Sequence, residues 1–220
     1  MTTSPVKPAP EPSAKPTLQQ LLKGGQLWRG AGGGMAVEPT GRTHLDRLLP
    51  GGGWPLGALT ELLHDQQGIG ELSLLLPVFA RLTQAGRRVA LIQTPHLPHP
   101  VPLAAAGVDL SQLLWVEAPD PRSACWAAEQ LLKSGSVGAL ASWASPRDET
   151  GLRRLQLAAE EGAALAFLYR PLRAAAQFSP AALRLMLKQA AGELRIEPLK
   201  LRGAPYIPTP PRSEESRDAA

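Results

Sequence analysis

The sequence contains a single cysteine, few aromatic residues and no long apolar run. With only Cys125, the chain cannot form an internal disulfide or a thiolate zinc cluster. No apolar stretch reaches the ~18 residues that a membrane-spanning helix needs. The Pro-rich opening, Met-Thr-Thr-Ser-Pro-Val-Lys-Pro, lacks the apolar core of a signal peptide. We therefore expect a cytoplasmic protein that does not bind membranes.

Patterns for catalysis and metal binding are also missing. The Gly-x-Ser-x-Gly elbow of serine hydrolases is absent. Four histidines are scattered over the chain, and the pair His96 and His99 lacks the spacing and the third ligand that a zinc site needs. We predict no catalytic residues, no metal and no cofactor.

The 220 residues, 44% of them hydrophobic, suit one domain with a full core. Composition predicts three regions. Residues 1–35 form a disordered arm, residues 36–203 the core domain, and residues 204–220 a disordered tail, because both ends are rich in proline and polar side chains. Within the arm a short helix is predicted near 18–28. Its apolar stripe, which we interpret as a partner-binding segment, comprises Leu18, Leu21, Leu22 and Trp28.

Strand-like and helix-like segments alternate through the core domain. Helices are predicted at 45–49, 70–84, 122–133 and 148–161, and strands at 58–63, 88–93, 113–117, 137–143 and 164–169, with a Pro-rich loop over 94–102. This alternation predicts an α/β fold with a mostly parallel sheet and helices on both faces. Period-two patterns at 183–188 and 194–201 add a C-terminal antiparallel hairpin. Pro198 has no backbone N–H to donate to a neighbouring strand. We therefore expect its strand to be an edge strand or to carry a β-bulge.

The first long strand is followed by a Gly-containing loop and a helix, the arrangement of a phosphate-binding P-loop. That motif requires Gly, four spacers, Gly, Lys and Ser/Thr. Here Asp65 takes the first glycine position and Gly68 lies inside the loop, while Gly70 takes the last glycine position. Glu71 then replaces the lysine and Leu72 the hydroxyl residue. A carboxylate repels phosphate, and leucine cannot ligate Mg²⁺.

The end of the core domain is basic, with seven basic and two acidic residues between positions 163 and 203. Such a patch could face DNA or an acidic partner. An ordinary solvated face is the alternative, and the lack of interleaved aromatics weighs against stacking of single-stranded bases. The patch comprises Arg170, Arg173, Arg184, Lys188, Arg195, Lys200 and Arg202.

Two tryptophans, Trp115 and Trp143, lie at the ends of predicted sheet strands, near the place where a nucleotide would bind. One interpretation is that a tryptophan fills that space, because protein cores do not tolerate large voids. The alternative is that it anchors a partner protein.

The run Gly52-Gly53-Trp54-Pro55-Leu56-Gly57, followed by strand, loop and helix, resembles the opening of a RecA-type core. The closer resemblance is to a degenerate branch, the ImuA family, which is related to the SulA cell-division inhibitors. It rests on Phe167-Leu-Tyr-Arg-Pro-Leu-Arg and on the ending Leu199-Lys-Leu-Arg-Gly. By this resemblance, the water-activating glutamate falls on Pro95, and the Walker B aspartate falls on Ser142 or Trp143.

The resemblance implies a non-catalytic RecA-like accessory protein of a damage-induced translesion-synthesis complex. Its implied partners are a Y-family polymerase homologue, an error-prone replicative-type polymerase and RecA. The alternative is a SulA-like inhibitor that binds the division GTPase. Because Glu71, Leu72, Pro95 and Ser142 together replace the lysine, the metal ligands and the base, we expect no ATP hydrolysis.

Overall fold

The computed structural model describes residues 36–190 and 192–202. The predicted arm helix near 18–28, with Leu18, Leu21, Leu22 and Trp28, and the predicted tail over 204–220 lie outside these residues. The α-helices are α1 Thr43–Leu48, α2 Leu76–Gln84, α3 Pro100–Ala105, α4 Pro121–Lys133 and α5 Glu149–Glu161. The strands are β1 Val37–Glu38, β2 Trp54–Pro55, β3 Ala58–His64, β4 Arg88–Ile92, β5 Leu113–Val116, β6 Val137–Ser142, β7 Leu165–Pro171, β8 Leu183–Ala190 and β9 Glu193–Leu201.

Seven strands form one sheet in the order β5-β4-β6-β7-β3-β8-β9. Every neighbouring pair is parallel except β8 and β9, which form an antiparallel hairpin at one edge. The predicted fold class, a mostly parallel sheet flanked by helices with a C-terminal antiparallel hairpin, is confirmed. The register shifts opposite Pro198, and β9 is the edge strand, so both expectations for that proline hold.

Helices cover both faces of the sheet and create two apolar layers. One layer joins β3, β7 and β8 to α1, α2 and α3 through residues such as Leu62, Phe167 and Val78. The other joins β4, β6 and β7 to α4 and α5, mainly through small side chains such as Ala128 and Ala158. Central strands β3, β6 and β7 are buried along almost their whole length, as is usual for a parallel sheet covered on both faces.

Local sequence explains where the long helices begin. The Asp120 carboxylate accepts backbone N–H bonds from Arg122 and Ser123 and caps α4, with Pro121 at the first helical position. Asp148 caps α5 by accepting the N–H of Gly151. The helix predicted from position 70 begins instead as a 3₁₀ turn, Glu71–Leu74, which leads into α2 at Leu76.

Two short elements were not predicted. Helix α3 lies where the sequence predicted only loop, and begins at Pro100 with the His99 ring accepting the N–H of Val101. The ribbon β1–β2 explains part of the Gly-Trp-Pro run, because a Cβ on Gly53 would collide with the Glu38 carbonyl. That close approach lets Trp54 bury completely against the Phe167 ring.

Candidate functional site

The loop between β3 and α2 lies at the carboxyl ends of the parallel strands, the edge where ligands bind in open α/β sheets. Gly68 and Gly70 have φ angles of 76° and 85°, a left-handed conformation that glycine adopts without strain. Asp65 is exposed at the start of this loop. The loop therefore has the backbone of a tight Gly turn that enters a helix.

The Glu71 side chain turns back into this loop. Glu71 is 5% exposed, and its Oε1 accepts the backbone N–H of Gly68 at 3.3 Å. Its own carbonyl accepts the hydroxyl of Tyr169 at 2.9 Å. Leu72 packs against the apolar layer that contains α2. The structure thus brings Gly68 and Glu71 together, and a carboxylate occupies one of the N–H donors that the loop offers.

Aromatic side chains fill the space beside Glu71. The Trp143 ring stacks on the Tyr169 ring with centroids 4.4 Å apart and planes 15° apart, and the His64 ring meets Tyr169 edge-on at 5.9 Å. Burial and the nearby Glu71 carboxylate raise the pKa of Tyr169 well above its usual value, so its hydroxyl stays a neutral donor. We call the group Gly68, Glu71, Trp143 and Tyr169 the Glu71 crevice.

Of the two tryptophans predicted near this edge, Trp143 is the one that packs against the apolar layer, where it stacks on Tyr169. Trp115 does not contribute, because its ring is 41% exposed and its Nε1 donates to the Thr94 hydroxyl at 3.1 Å. Within the described residues the Trp143 Nε1 is buried with no hydrogen-bond partner.

The remaining predicted site residues, Pro95 and Ser142, lie at the same edge of the sheet, but neither presents a free polar group to a ligand. Pro95 follows β4 and is partly exposed. Ser142 ends β6, is 1% exposed, and donates its hydroxyl to the Ala144 carbonyl at 2.9 Å. Nowhere in residues 36–190 and 192–202 do three His, Cys, Asp or Glu side chains converge as metal ligands do. In the same ranges, no helix is long and apolar enough to cross a membrane.

The predicted basic patch needs a correction at two positions, Arg170 and Arg184. They are only 5% and 7% exposed, and both guanidinium groups point at Glu61, which is fully buried on β3. They lie on the same face as Glu61 because Arg184 pairs with it in register and Arg170 lies on the neighbouring β7. Sequence reasoning placed them at the surface because it did not pair them with a carboxylate on a distant strand.

Glu61 is held by a complete set of partners. Arg170 Nη1 and the Ser179 hydroxyl each donate to Oε1 at 2.8 Å, and Arg184 Nε donates to Oε2 at 2.7 Å. Arg184 also donates to the carbonyls of Ala174 and Ala175, which tie the 3₁₀ turn after β7 to β8. We call Glu61, Arg170, Ser179 and Arg184 the Glu61 cluster.

The other five basic residues remain nearer the surface. Arg173, Arg195 and Arg202 are exposed. Lys188 pairs with Glu197 at 2.9 Å, and Lys200 donates to the Ser179 carbonyl at 2.9 Å. The surface left for an anionic ligand is therefore smaller than the sequence predicted, and its role stays a prediction.

Sequence analysis missed Glu61 and Tyr169 as individual site residues. A charged residue inside the apolar strand Ala-Leu-Thr-Glu-Leu-Leu was the available signal for Glu61, because an unpaired buried carboxylate is costly and needs cationic partners. Tyr169 gave no comparable signal, since an aromatic residue at a strand end is common in any core.

Comparison with known proteins gives partial matches. No protein-family profile matches the chain. It is similar to Protein RecA of Picosynechococcus sp., with 33% identity over 103 residues, 47% of this chain and 29% of that protein. It is also similar to Protein RecA of Acholeplasma laidlawii, with 33% identity over 129 residues, 58% of this chain and 39% of that protein. The described fold, with its terminal hairpin, is RecA-like.

The chain is also similar to the crystal structure of SulA from Pseudomonas aeruginosa, with 26% identity and a TM-score of 0.43. That match covers 51% of this chain and 97% of the SulA chain. The chain spans between 29% and 39% of the length of these two RecA proteins.

Proposed function

We propose that this chain is a non-catalytic, RecA-like accessory protein of a DNA-damage-induced translesion-synthesis complex. Two kinds of support converge. The chain is similar to RecA over about half its length, from 47% to 58% in the two matches above. Its sequence also resembles the ImuA family in the run from Phe167 and in the ending Leu199-Lys-Leu-Arg-Gly.

The observation that carries the proposal is the Glu71 carboxylate inside the Gly loop. A triphosphate in that loop would need the Gly68 N–H that Glu71 Oε1 accepts, and would meet a negative charge where a P-loop supplies a lysine. Trp143 and Tyr169 pack beside it, where their rings fill the space. The residues of this loop therefore do not suit Mg²⁺ and a nucleoside triphosphate.

A RecA-like fold without that chemistry suits scaffolding, because its exposed faces remain available for protein contacts. The proposed partners are a Y-family polymerase homologue, an error-prone replicative-type polymerase and RecA. The segment with Leu18, Leu21, Leu22 and Trp28 is proposed to contact one of them. In this role the protein brings polymerases together and performs no reaction itself.

The absence of nucleotide chemistry can be tested on the purified chain. We expect no ATP hydrolysis with or without single-stranded DNA, and no saturable binding of a fluorescent ATP analogue. A double substitution, Glu71→Lys with Leu72→Thr, should still not hydrolyse ATP, because Pro95 cannot act as a base and Ser142 does not replace the acidic metal ligand. Hydrolysis by the unaltered chain that disappears when the 65–72 loop is changed would contradict the proposal.

The partner assignment can be tested by capture with purified candidates. The chain is immobilised and exposed separately to the Y-family homologue, the replicative-type polymerase, RecA and the division GTPase. Retention of either polymerase supports the translesion role. Retention of the division GTPase alone would favour the SulA-like alternative and overturn the proposal.

A further inference from the structure

A hollow of about 360 Å³ opens at the amino ends of three neighbouring strands, β4, β5 and β6. The Glu71 crevice lies at the opposite edge of the sheet, where these parallel strands end. Arg87 is half-buried in the hollow and Arg88 is exposed. We call it the Arg87 hollow, and the residues that line it include Arg87, Arg88, Gln112 and Gly138.

Strand β6 makes room for the Arg87 side chain at Gly138. The register between β4 and β6 shifts after Arg88, which leaves Gly138 as the extra residue of a β-bulge. A Cβ at position 138 would lie 3.0 Å from Arg87 Nε and 3.2 Å from Arg87 Cζ. Glycine weakens a strand, and inside one it often marks a place where another group approaches closely. The guanidinium group of Arg87 therefore lies against the β6 backbone.

The two arginines of the hollow have no counter-charge in the described part of the chain. Neither belongs to an ion pair there. No aspartate or glutamate of residues 36–190 and 192–202 lines the hollow. The charge that the hollow offers to a ligand is therefore positive.

Capping of the two helices that end beside the hollow, α2 and α4, does not use these side chains. Carbonyls in the last turn of α2 accept the backbone N–H groups of Ala85, Gly86 and Arg87. Carbonyls in the last turn of α4 accept those of Ser134 and Gly135. The two guanidinium groups are therefore left for another partner.

We propose that the Arg87 hollow binds a terminal phosphate group. Near neutral pH such a group carries about −1.5 to −2 charges and three strong acceptor oxygens. Its charge therefore matches that of Arg87 and Arg88 together, and the planar fork of arginine fits phosphate oxygens. The Gln112 amide, which also lines the hollow, adds a neutral donor.

Other anions match the hollow less well. A carboxylate carries a single negative charge, as does a phosphate inside a DNA strand, so each would leave one arginine without a counter-charge. A terminal phosphate has two sources, a small phosphorylated molecule and the 5′-phosphate at a DNA end. The experiment below distinguishes them.

The test is a calorimetric titration of the full-length chain with methyl phosphate, the simplest phosphate monoester, at about 0.15 M salt. We expect saturable binding that Arg87→Gln weakens by about tenfold or more and Arg88→Gln severalfold. Binding should strengthen between about pH 5.5 and about pH 7.5, because the monoester gains its second charge near pH 6. Arginine stays protonated over this range, so the pH dependence belongs to the ligand.

Gly138→Ala tests the site without removing a charge. The added Cβ should displace the Arg87 guanidinium group and weaken methyl phosphate binding severalfold. Arg153→Gln is the matched control, because Arg153 is an exposed arginine of α5 that does not line the hollow, and its removal should not change the affinity. Unchanged thermal melting shows that each variant folds.

The source of the phosphate is tested with two oligo-thymidine strands, one with a 5′-phosphate and one with a 5′-hydroxyl, in a fluorescence polarisation assay. Preference for the phosphorylated strand that Arg87→Gln abolishes would assign the hollow to DNA ends. Equal binding of the two strands, with methyl phosphate still bound, would assign it to a small phosphorylated molecule.

Three results would overturn the assignment. The first is the absence of saturable methyl phosphate binding at millimolar concentrations. The second is an affinity that Arg87→Gln and Gly138→Ala leave unchanged. The third is competition by acetate as effective as that by methyl phosphate, which would make the hollow a carboxylate site. No polymerase is used in these measurements, so the proposed function and this assignment can fail separately.

Discussion

Two carboxylates enter the structure from neighbouring stretches of chain, Glu61 on β3 and Glu71 after the loop that follows it, and both are buried. The Glu61 cluster gives its carboxylate two guanidinium groups and a hydroxyl within 2.8 Å. The Glu71 crevice gives its carboxylate one backbone N–H at 3.3 Å, the only hydrogen bond to it among the described residues.

The difference separates a carboxylate that holds three strands together from one that has few partners. The Glu61 carboxylate links β3 to β7 and β8 through its two arginine partners, so its removal should lower the free energy of unfolding strongly. A carboxylate with one long hydrogen bond adds little to stability, so its presence calls for another explanation. Under the function proposed above, that explanation is repulsion of phosphate from the loop. The predictions below compare the contributions of the two sites to stability.

The largest effect is expected for Glu61→Gln. The neutral amide would leave Arg170 and Arg184 buried without a counter-charge, which should lower the free energy of unfolding by about 3–5 kcal/mol. Urea denaturation measures the change. Glu197→Gln is the matched control, because it breaks the exposed pair with Lys188 and should cost at most about 0.5 kcal/mol. If both variants lose a similar free energy of unfolding, the Glu61 cluster does not stabilise the fold more than an exposed ion pair does.

A smaller loss is expected for Trp143→Ala in the Glu71 crevice. Removing the ring leaves a cavity beside Tyr169, and the partly exposed position lets water relieve some of the cost, so about 2–3 kcal/mol is expected. Trp126→Ala is the matched tryptophan control and should change stability by less than about 1 kcal/mol, because that ring is 64% exposed. If Trp143→Ala is as stable as the unaltered chain, the stacking of this ring on Tyr169 does not stabilise the fold.

Glu71→Gln completes the contrast with the same chemical change at the second carboxylate. The amide oxygen can still accept the Gly68 N–H, so the free energy of unfolding should change by less than about 1 kcal/mol. The same urea experiment compares it directly with Glu61→Gln. A loss as large as that of Glu61→Gln would show that Glu71 has charged partners that the described structure does not contain.

The sequence predicted the fold well because its signals are local. The apolar strand Arg88–Ile92 follows from its run of buried residues, and helix α4 follows from periodicity, from Asp120 and from Pro121. The position of Glu71 in the loop after β3 was also predicted, because a motif fixes its spacing. The sequence did not predict which side chains contact each other when they lie far apart along the chain. Glu61 and Arg184 are 123 residues apart, and only the sheet order places them together.

The smallest predicted effect concerns Lys200, which borders the Glu61 cluster. Burial, followed by the charges of Arg184 and Arg202, lowers its pKa below 10.5 in the folded chain. A lysine with a lowered folded pKa holds its proton more tightly in the unfolded chain. The cost of this charge is therefore fully present below the folded pKa, and stability recovers as the pH rises from that value to the unfolded one. Urea midpoints measured at rising pH up to 10.5 should show the unaltered chain gaining stability relative to Lys200→Gln. Lys188→Gln removes one lysine from the neighbouring strand and corrects for the change in net charge. Parallel curves for the unaltered chain and Lys200→Gln would show that the cationic surroundings of the Glu61 cluster do not extend to Lys200.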